Sequence, residues 1–319
     1  MGISNHLKEI GRGKDGARAL SREQAEDLMG QILDGQVTDL ELGAFCIAMR
    51  VKGETPDELA GFLDAIHHRL PAGPACPTPT VVLPSYNGAR KLPVLTPLLA
   101  LLLAQQGVRV WVHGQAQDPG RVTTFEILKA LKPLFPSIIH VPVRWDELGT
   151  TSGVYFMHTG TLLPGLQRLL DARRVIGLRN SAHSLVKLLQ PAPGALLVSS
   201  YTHPEYLQSM GQLLELTGQH AMLLRGTEGE PVADPRRTPQ MDMFNAGVKT
   251  TVQIQQTGPL ALLPDLPGSR DIASTAAYIC ALLDGEKPLP TPIQQQVHHL
   301  LVALNTACTA PSRLLESAT

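Results

Sequence analysis

Aromatic side chains make up only 4% of the 319 residues, and neither sign of charge dominates: 27 Lys and Arg stand against 28 Asp and Glu, for a formal net charge of −1. Such a chain has no global bias toward nucleic acid, so a case for that partner must rest on where the cations sit. No apolar run reaches 18 residues, which argues against a membrane-spanning helix. The opening MGISNHLKEIGRGK has no apolar segment behind its charges, so no signal peptide is read there and a cytoplasmic location is the expectation. Cys46, Cys76, Cys280 and Cys308 lie far apart, without the paired spacing of a zinc site or a disulfide framework. They are expected to be reduced, mostly buried thiols, and no metal ligand is assigned. Internal repeats and low-complexity runs are absent as well.

What is present is the composition of a folded domain, 43% hydrophobic and 17% charged. Residues 21–33 open on Ser21 with Gln24 three positions on, a capping-box pattern, and continue with Ala25, Leu28, Met29, Ile32 and Leu33 at helical spacing. Residues 39–51 repeat the signature with Asp39 as cap and an apolar body, which predicts a helix buried on most faces. A third helix runs over 56–70, with Thr55 as cap and Pro56 at its first position. The proline-rich stretch 71–81 then separates this helical unit, residues 1–70, from the remainder, 80–319.

The remainder is organised around residues 81–121. Val81, Val82 and Leu83 end at the turn-rich 84–91, an apolar segment follows at 95–103, and a second apolar run covers 108–112. Strand, loop, helix and strand in that order predict parallel neighbours whose loops, 84–91 and 113–121, open on one crevice. The first loop carries Ser85, Asn87, Gly88, Arg90 and Lys91; the second carries His113 and Arg121. Together they read as a phosphate-binding mouth, with a plain turn at Asn87-Gly88 and a core histidine at His113 as the competing readings. Further on, helices are expected at 123–132, 161–175, 180–189, 204–216, 271–283 and 291–307, and strands at 137–141, 195–200 and 221–224. The stretch 227–241 reads as a polar loop and 247–256 as an edge hairpin. Alternation of this kind means α/β with a mainly parallel sheet.

Two clusters of cations stand out against the neutral total. Lys8, Arg12, Lys14, Arg18 and Arg22 fall at spacings that would align them on a helix, although Gly11 and Gly13 weigh against one. Arg168, Arg173, Arg174, Arg179 and Lys187 are opposed by Asp171 alone. Each is read either as a groove tracking a phosphodiester backbone or as a solvated helix face. Tyr86, Tyr201 and Tyr206 are the candidate stacking rings.

The order of elements resembles the anthranilate phosphoribosyltransferase-like fold shared with pyrimidine nucleoside phosphorylases, with helices from about 161–190 joining the N-terminal unit. Longer words, among them 8–14, 39–43, 84–91, 95–100, 179–183, 203–206 and 226–230, are similar to the YbiB-type branch of that family. That resemblance implies non-sequence-specific binding of DNA and RNA by a scaffold without catalysis or cofactor, and a homodimer built through the N-terminal helices. It adds Asn180 and His183 to the pocket, and it favours the groove reading for Lys8, Arg12, Lys14, Arg18, Arg173, Arg174, Arg179 and Lys187. Enzymes of this fold use a Gly-Thr-Gly-Gly-Asp loop for pyrophosphate, where this chain has Ser85-Tyr86-Asn87-Gly88-Ala89. They also hold magnesium with an adjacent Asp-Glu pair, which is missing from 227–234. The alternative is a phosphoribosyl- or glycosyltransferase using phosphoribosyl pyrophosphate and magnesium, with Glu228 and Glu230 as substitute ligands; otherwise those two are solvated.

Overall fold

The helix signals of the first 70 residues are executed nearly as spelled. The computed structural model describes residues 2–13, 15–71, 78–141, 149–260 and 263–309, the side chains of 140 and 306–309 excepted. Helix α1 (Ser4–Ile10) stops at Gly11. Helix α2 (Arg22–Leu33) opens on the Ser21–Gln24 capping box. Helix α3 (Asp39–Lys52) is capped by Thr38 instead of Asp39, because Glu41 reaches back to the Thr38 amide and completes a box one residue earlier. Helix α4 (Pro56–His67) takes Thr55 as cap and Pro56 in its first turn.

Two expectations for this unit need correction. The apolar body of α3 is not buried on most faces: Leu42, Phe45, Cys46 and Met49 face inward, while Leu40 (85% exposed), Ala44, Ile47 and Val51 form an outward stripe. Nor do the first cations align along a helix. Because α1 ends before Gly11, Lys8, Arg12 and Arg18 do not share a helical face, and Arg22 is held by Asp64 at 2.5 Å.

Strand β1 (Thr80–Ser85), helix α5 (Thr96–Gln105) and strand β2 (Arg109–Gly114) form the predicted unit, paired in parallel from Thr80–Arg109 to Ser85–Gly114. Helix α6 (Thr124–Leu131) leads to β3 (Ile138–His140) and β4 (Gly153–His158), then to α7 (Thr159–Leu162), α8 (Pro164–Ile176) and α9 (Ala182–Leu185). The helix expected over 180–189 is thus a single turn. Strand β5 (Leu196–Tyr201), helix α10 (Glu205–Thr217), strand β6 (Ala221–Arg225), the hairpin β7 (Met241–Asn245) and β8 (Val248–Gln253), and helices α11 (Ile272–Leu283) and α12 (Thr291–Thr309) complete the order. Among the described residues no helix is long and apolar enough to cross a membrane.

The strands form one sheet in the order β3-β4-β2-β1-β5-β6-β7-β8, parallel except at β7 and β8. Side chains of its central strands alternate between two cores, as a pleat requires. Val82, Trp111, Tyr155 and Leu197 pack under the helical unit and α8 to α10; Val81, Val110, Val154 and Leu196 pack under α5, α6, α11 and α12. The chain leaves β1 toward one face and edge and leaves β4 toward the other. The order therefore reverses between β1 and β5, and at such a point the loops diverge and leave a crevice at the strands' C-terminal ends.

Candidate functional site

That crevice is a cleft of about 850 Å³. Arg90 and Lys91 line it from the loop after β1, and Ser200, Tyr201 and His203 from the end of β5. Glu228 enters from beyond β6, and Arg50, Gly53 and Glu54 close it from the end of α3. The loop after β1 is stitched to its neighbour by paired backbone bonds between Ala89 and Val122, both 3.0 Å, and by Arg121 Nη1 donating to the Gly88 carbonyl at 3.0 Å. Gly88 sits at φ +62°, and a Cβ there would lie 2.6 Å from the Val122 carbonyl oxygen. Its glycine serves this close crossing of two chains.

The acidic turn 226–230 supplies what sequence reasoning missed. It is not a solvated loop: Thr227, Gly229 and Glu230 are buried. The Glu228 carboxylate accepts from three consecutive backbone amides, Arg90 (3.1 Å), Lys91 (2.8 Å) and Leu92 (2.9 Å). Glu230, 1% exposed, accepts from the Gly88 amide (2.7 Å) and from the Thr96 (3.1 Å), Thr124 (3.3 Å) and Ser85 hydroxyls. Glu228 adopts φ +53°, a left-handed conformation that costs a non-glycine residue roughly 1–2 kcal/mol. Three amide bonds to a charged group, each worth about 1.5–3 kcal/mol, outweigh that cost. The turn is tight elsewhere too, since a Cβ on Gly229 (φ +88°) would meet Asn87 Nδ2 at 2.1 Å. Magnesium does not fit this arrangement as a ligand of the pair: Glu230 lies behind the cleft at 1% exposure, and both carboxylates are turned onto amides and hydroxyls of the chain instead of sharing an open position.

Cations dominate the rest of the cleft. Arg50, Arg90, Lys91, Arg121, Arg179 and Lys187 line it, against the acids Glu54, Glu205 and Glu228. Glu54 accepts from Ser181 Oγ at 2.6 Å, and Glu228 is committed to the amides. Burial, with Arg173 and Arg121 close by, holds the Arg179 guanidinium below its ordinary pKa, and Asn87 Oδ1 accepts from it at 3.3 Å. Burial beside Arg179 brings Lys187 down to about 8, with its ammonium donating to the Ser200 carbonyl at 3.1 Å. His183, pushed down to about 3 by burial and Arg179, is uncharged at neutral pH and packs edge-on to Tyr86 at 5.5 Å.

The expected pocket residues are partly assembled here. Arg90, Lys91, Arg121, Asn180 and His183 line the cleft, whereas Ser85, Asn87 and Gly88 lie behind it as the frame that holds the acidic turn. His113 is not in the mouth. It points from β2 into the core, fully buried, with Nε2 at 3.1 Å from the Leu189 carbonyl oxygen, and burial lowers its pKa to about 4. The reversal of strand order opens the site between β1 and β5, so β2 contributes only through Arg121.

Of the expected groove residues, Arg179 faces the cleft and Arg173 stands at the last turn of α8 near it. Lys187 is no surface cation but an 8% exposed floor residue. Arg174 pairs with Asp171 at 3.5 Å and Arg168 with Asp39 at 2.8 Å. Lys8, Arg12 and Arg18 do not line the cleft, Arg12 being paired with Glu9 at 2.9 Å, and Lys14 lies outside the described residues. Tyr86 (8% exposed) and Tyr201 (7%) are packed rings, leaving Tyr206 (37%) as the accessible one of the three.

Comparison with known proteins agrees with the fold. Residues 5–69 match the helical bundle domain of the glycosyl transferase family. Over 311 residues the chain is 41% identical to the uncharacterized protein YbiB of Escherichia coli (strain K12), covering 95% of this chain and 94% of that one. It is 25% identical over 297 residues to the anthranilate phosphoribosyltransferase of Methanosphaerula palustris, covering 89% and 83%. Among solved structures, the anthranilate phosphoribosyltransferase (TrpD) from Thermus thermophilus superimposes with a TM-score of 0.70 at 21% identity, over 97% of this chain and 90% of that one.

Proposed function

The chain belongs to the YbiB-type branch of the anthranilate phosphoribosyltransferase-like family, and from that premise we propose that it is a non-catalytic protein that binds nucleic acid without sequence specificity. The observation that carries the reading is the convergence of six basic side chains on one cleft against three acids, two of which, Glu54 and Glu228, are bonded to donors of the chain itself. Such a surface favours backbone phosphates over base edges. One accessible tyrosine among the cleft-side rings gives little means of reading bases, which supports indifference to sequence, and binding of DNA and RNA alike belongs to the same proposal. A cytoplasmic place belongs to the same proposal.

Titration of a fluorescent oligonucleotide at 50 and 200 mM salt tests it. A protein that neutralises about five phosphates loses roughly 500-fold in affinity over that interval. A loss smaller than about tenfold at five neutralised phosphates is incompatible with backbone capture. Calorimetric heat from phosphoribosyl pyrophosphate that requires magnesium would instead favour the transferase alternative.

The same reading includes a homodimer formed through the N-terminal helices. Leu40, Ala44, Ile47 and Val51 recur at four, three and four residues, so they share one exposed face of α3. A second copy of that face would cover them and set two clefts on one particle, raising apparent affinity by multivalency. Ile47→Glu is expected to yield a monomer by light scattering with its helical content intact. A dimer of unchanged mass in that variant would place the interface elsewhere.

A further inference from the structure

The amides of residues 88–92 form an array of four donors, three on Glu228 and one on Glu230, with the hydroxyls of Ser85, Thr96 and Thr124 beside them. Consecutive backbone N–H groups converging on an oxyanion, with hydroxyls alongside and Arg90 and Lys91 at the rim, are the chemistry of a site for phosphate or pyrophosphate. In this chain two carboxylates of its own occupy that position. We propose that Glu228 and Glu230 are specificity determinants, a built-in anion that fills the deep seats of the cleft and excludes free pyrophosphate and the terminal phosphates of nucleotides. The outer guanidiniums stay available to the backbone of a polymer.

The inference rests on the reading of the cleft as a polyanion site and adds what the cleft rejects. The seat is closed twice over. A small dianion entering it would meet two fixed carboxylates and find the amides already bonded. A polymer needs no amide seat, because its singly charged phosphodiesters are met by side chains at the mouth. Among the described residues two non-glycine residues hold a left-handed φ, Ala246 (+48°) and Glu228 (+53°), and at Glu228 that conformation carries the carboxylate onto three amides.

That strained φ supplies the test. Glu228→Gly removes the carboxylate while easing the backbone at its own position. Inorganic pyrophosphate is titrated by calorimetry into wild type and variant without metal, with thermal melts confirming the fold. The variant is expected to bind pyrophosphate at least about tenfold more tightly than wild type, the equivalent of one charge-assisted hydrogen bond regained. Equal affinities, or no binding by either protein, overturn the proposal. Should the glycine variant fail to fold, Glu228→Ala carries the same comparison, since it also clears the carboxylate from the three amides. Oligonucleotide binding is read on the same wild-type sample. Its absence would remove the nucleic-acid reading while leaving the pyrophosphate contrast to stand or fall by itself.

Discussion

Reversing the charges of Arg121 and Arg179 together is expected to lower oligonucleotide affinity by about 100-fold or more at 50 mM salt, and to reduce the salt slope by about two. Both guanidiniums line the cleft, and both are positioned by its frame: Arg121 by the Gly88 carbonyl and Arg179 by Asn87. Burial first, then repulsion from Arg173 and Arg121, depresses Arg179. A pair of like charges held close in that way is relieved by a phosphate, which is why reversal there costs more than at an exposed site. Arg173→Glu with Arg174→Glu makes the comparison. Arg174 is exposed and already neutralised by Asp171, so most of that double variant's effect comes through Arg173 and should stay near tenfold. Fluorescence anisotropy at two salt concentrations reads both variants. If the cleft pair binds as wild type does, the polyanion surface lies on another face.

The architecture was legible because its signals are local. Capping spacings set the starts of α2 and α4 to the residue, although α4 ends at His67 and not at 70, and the apolar runs at 81–83 and 108–112 with a helix between them gave the parallel pair. Strand β4 carries the unbroken apolar and aromatic run Val154 to Met157 but is not among the expected strands, and β7 begins where the expected polar loop ends, so the hairpin spans 241–253 and not 247–256. The reason in the second case is the same one that hid the site. Glu230 is satisfied by donors 106 to 145 residues away and Asp242 by Thr251 across the hairpin, and such pairings leave no mark in the neighbouring sequence.

Local sequence also misplaces a side chain whenever strand order decides which loop meets which. His113 follows an apolar run as Ser85 does, yet the sheet turns it into the core; Lys187 sits in a basic stretch, yet the single turn of α9 lowers it to the cleft floor. One signal pointed to the acidic turn. A Glu between Thr and Gly, followed at once by a second Glu, stood where the family's magnesium pair was missing, and the useful question was which donors such carboxylates would find. Loops rich in unpaired amides and acids without cations are complementary, and here they are 138 residues apart in the chain.

The cleft wall contributed by α3 depends on a pair that function did not require, and breaking it should produce the largest loss of stability. Glu58 is completely buried at the first turn of α4, where it accepts from the Thr55 amide (2.9 Å), the Leu20 amide (3.0 Å) and the Lys52 ammonium (2.6 Å). Lys52, the last residue of α3, also donates to the Gly53 carbonyl. Lys52→Met preserves the aliphatic stem but strands a carboxylate in the interior, which is expected to cost about 3–5 kcal/mol. An exposed ion pair would cost under about 1 kcal/mol, so the measured size itself reports burial. Adding Glu58→Gln should recover part of the loss, because a neutral amide needs no counter-ion, though its one oxygen must serve two backbone donors. Thermal melts of the single and double variants decide it, a drop of less than about 2 °C for Lys52→Met being too small for an uncompensated buried charge. Gly53 and Glu54 follow the pair directly and line the cleft, with Glu54 holding Ser181 just before α9. Loss of the pair should therefore weaken oligonucleotide binding in step with stability, whereas reversal of Arg121 and Arg179 should weaken binding well beyond what it costs in stability.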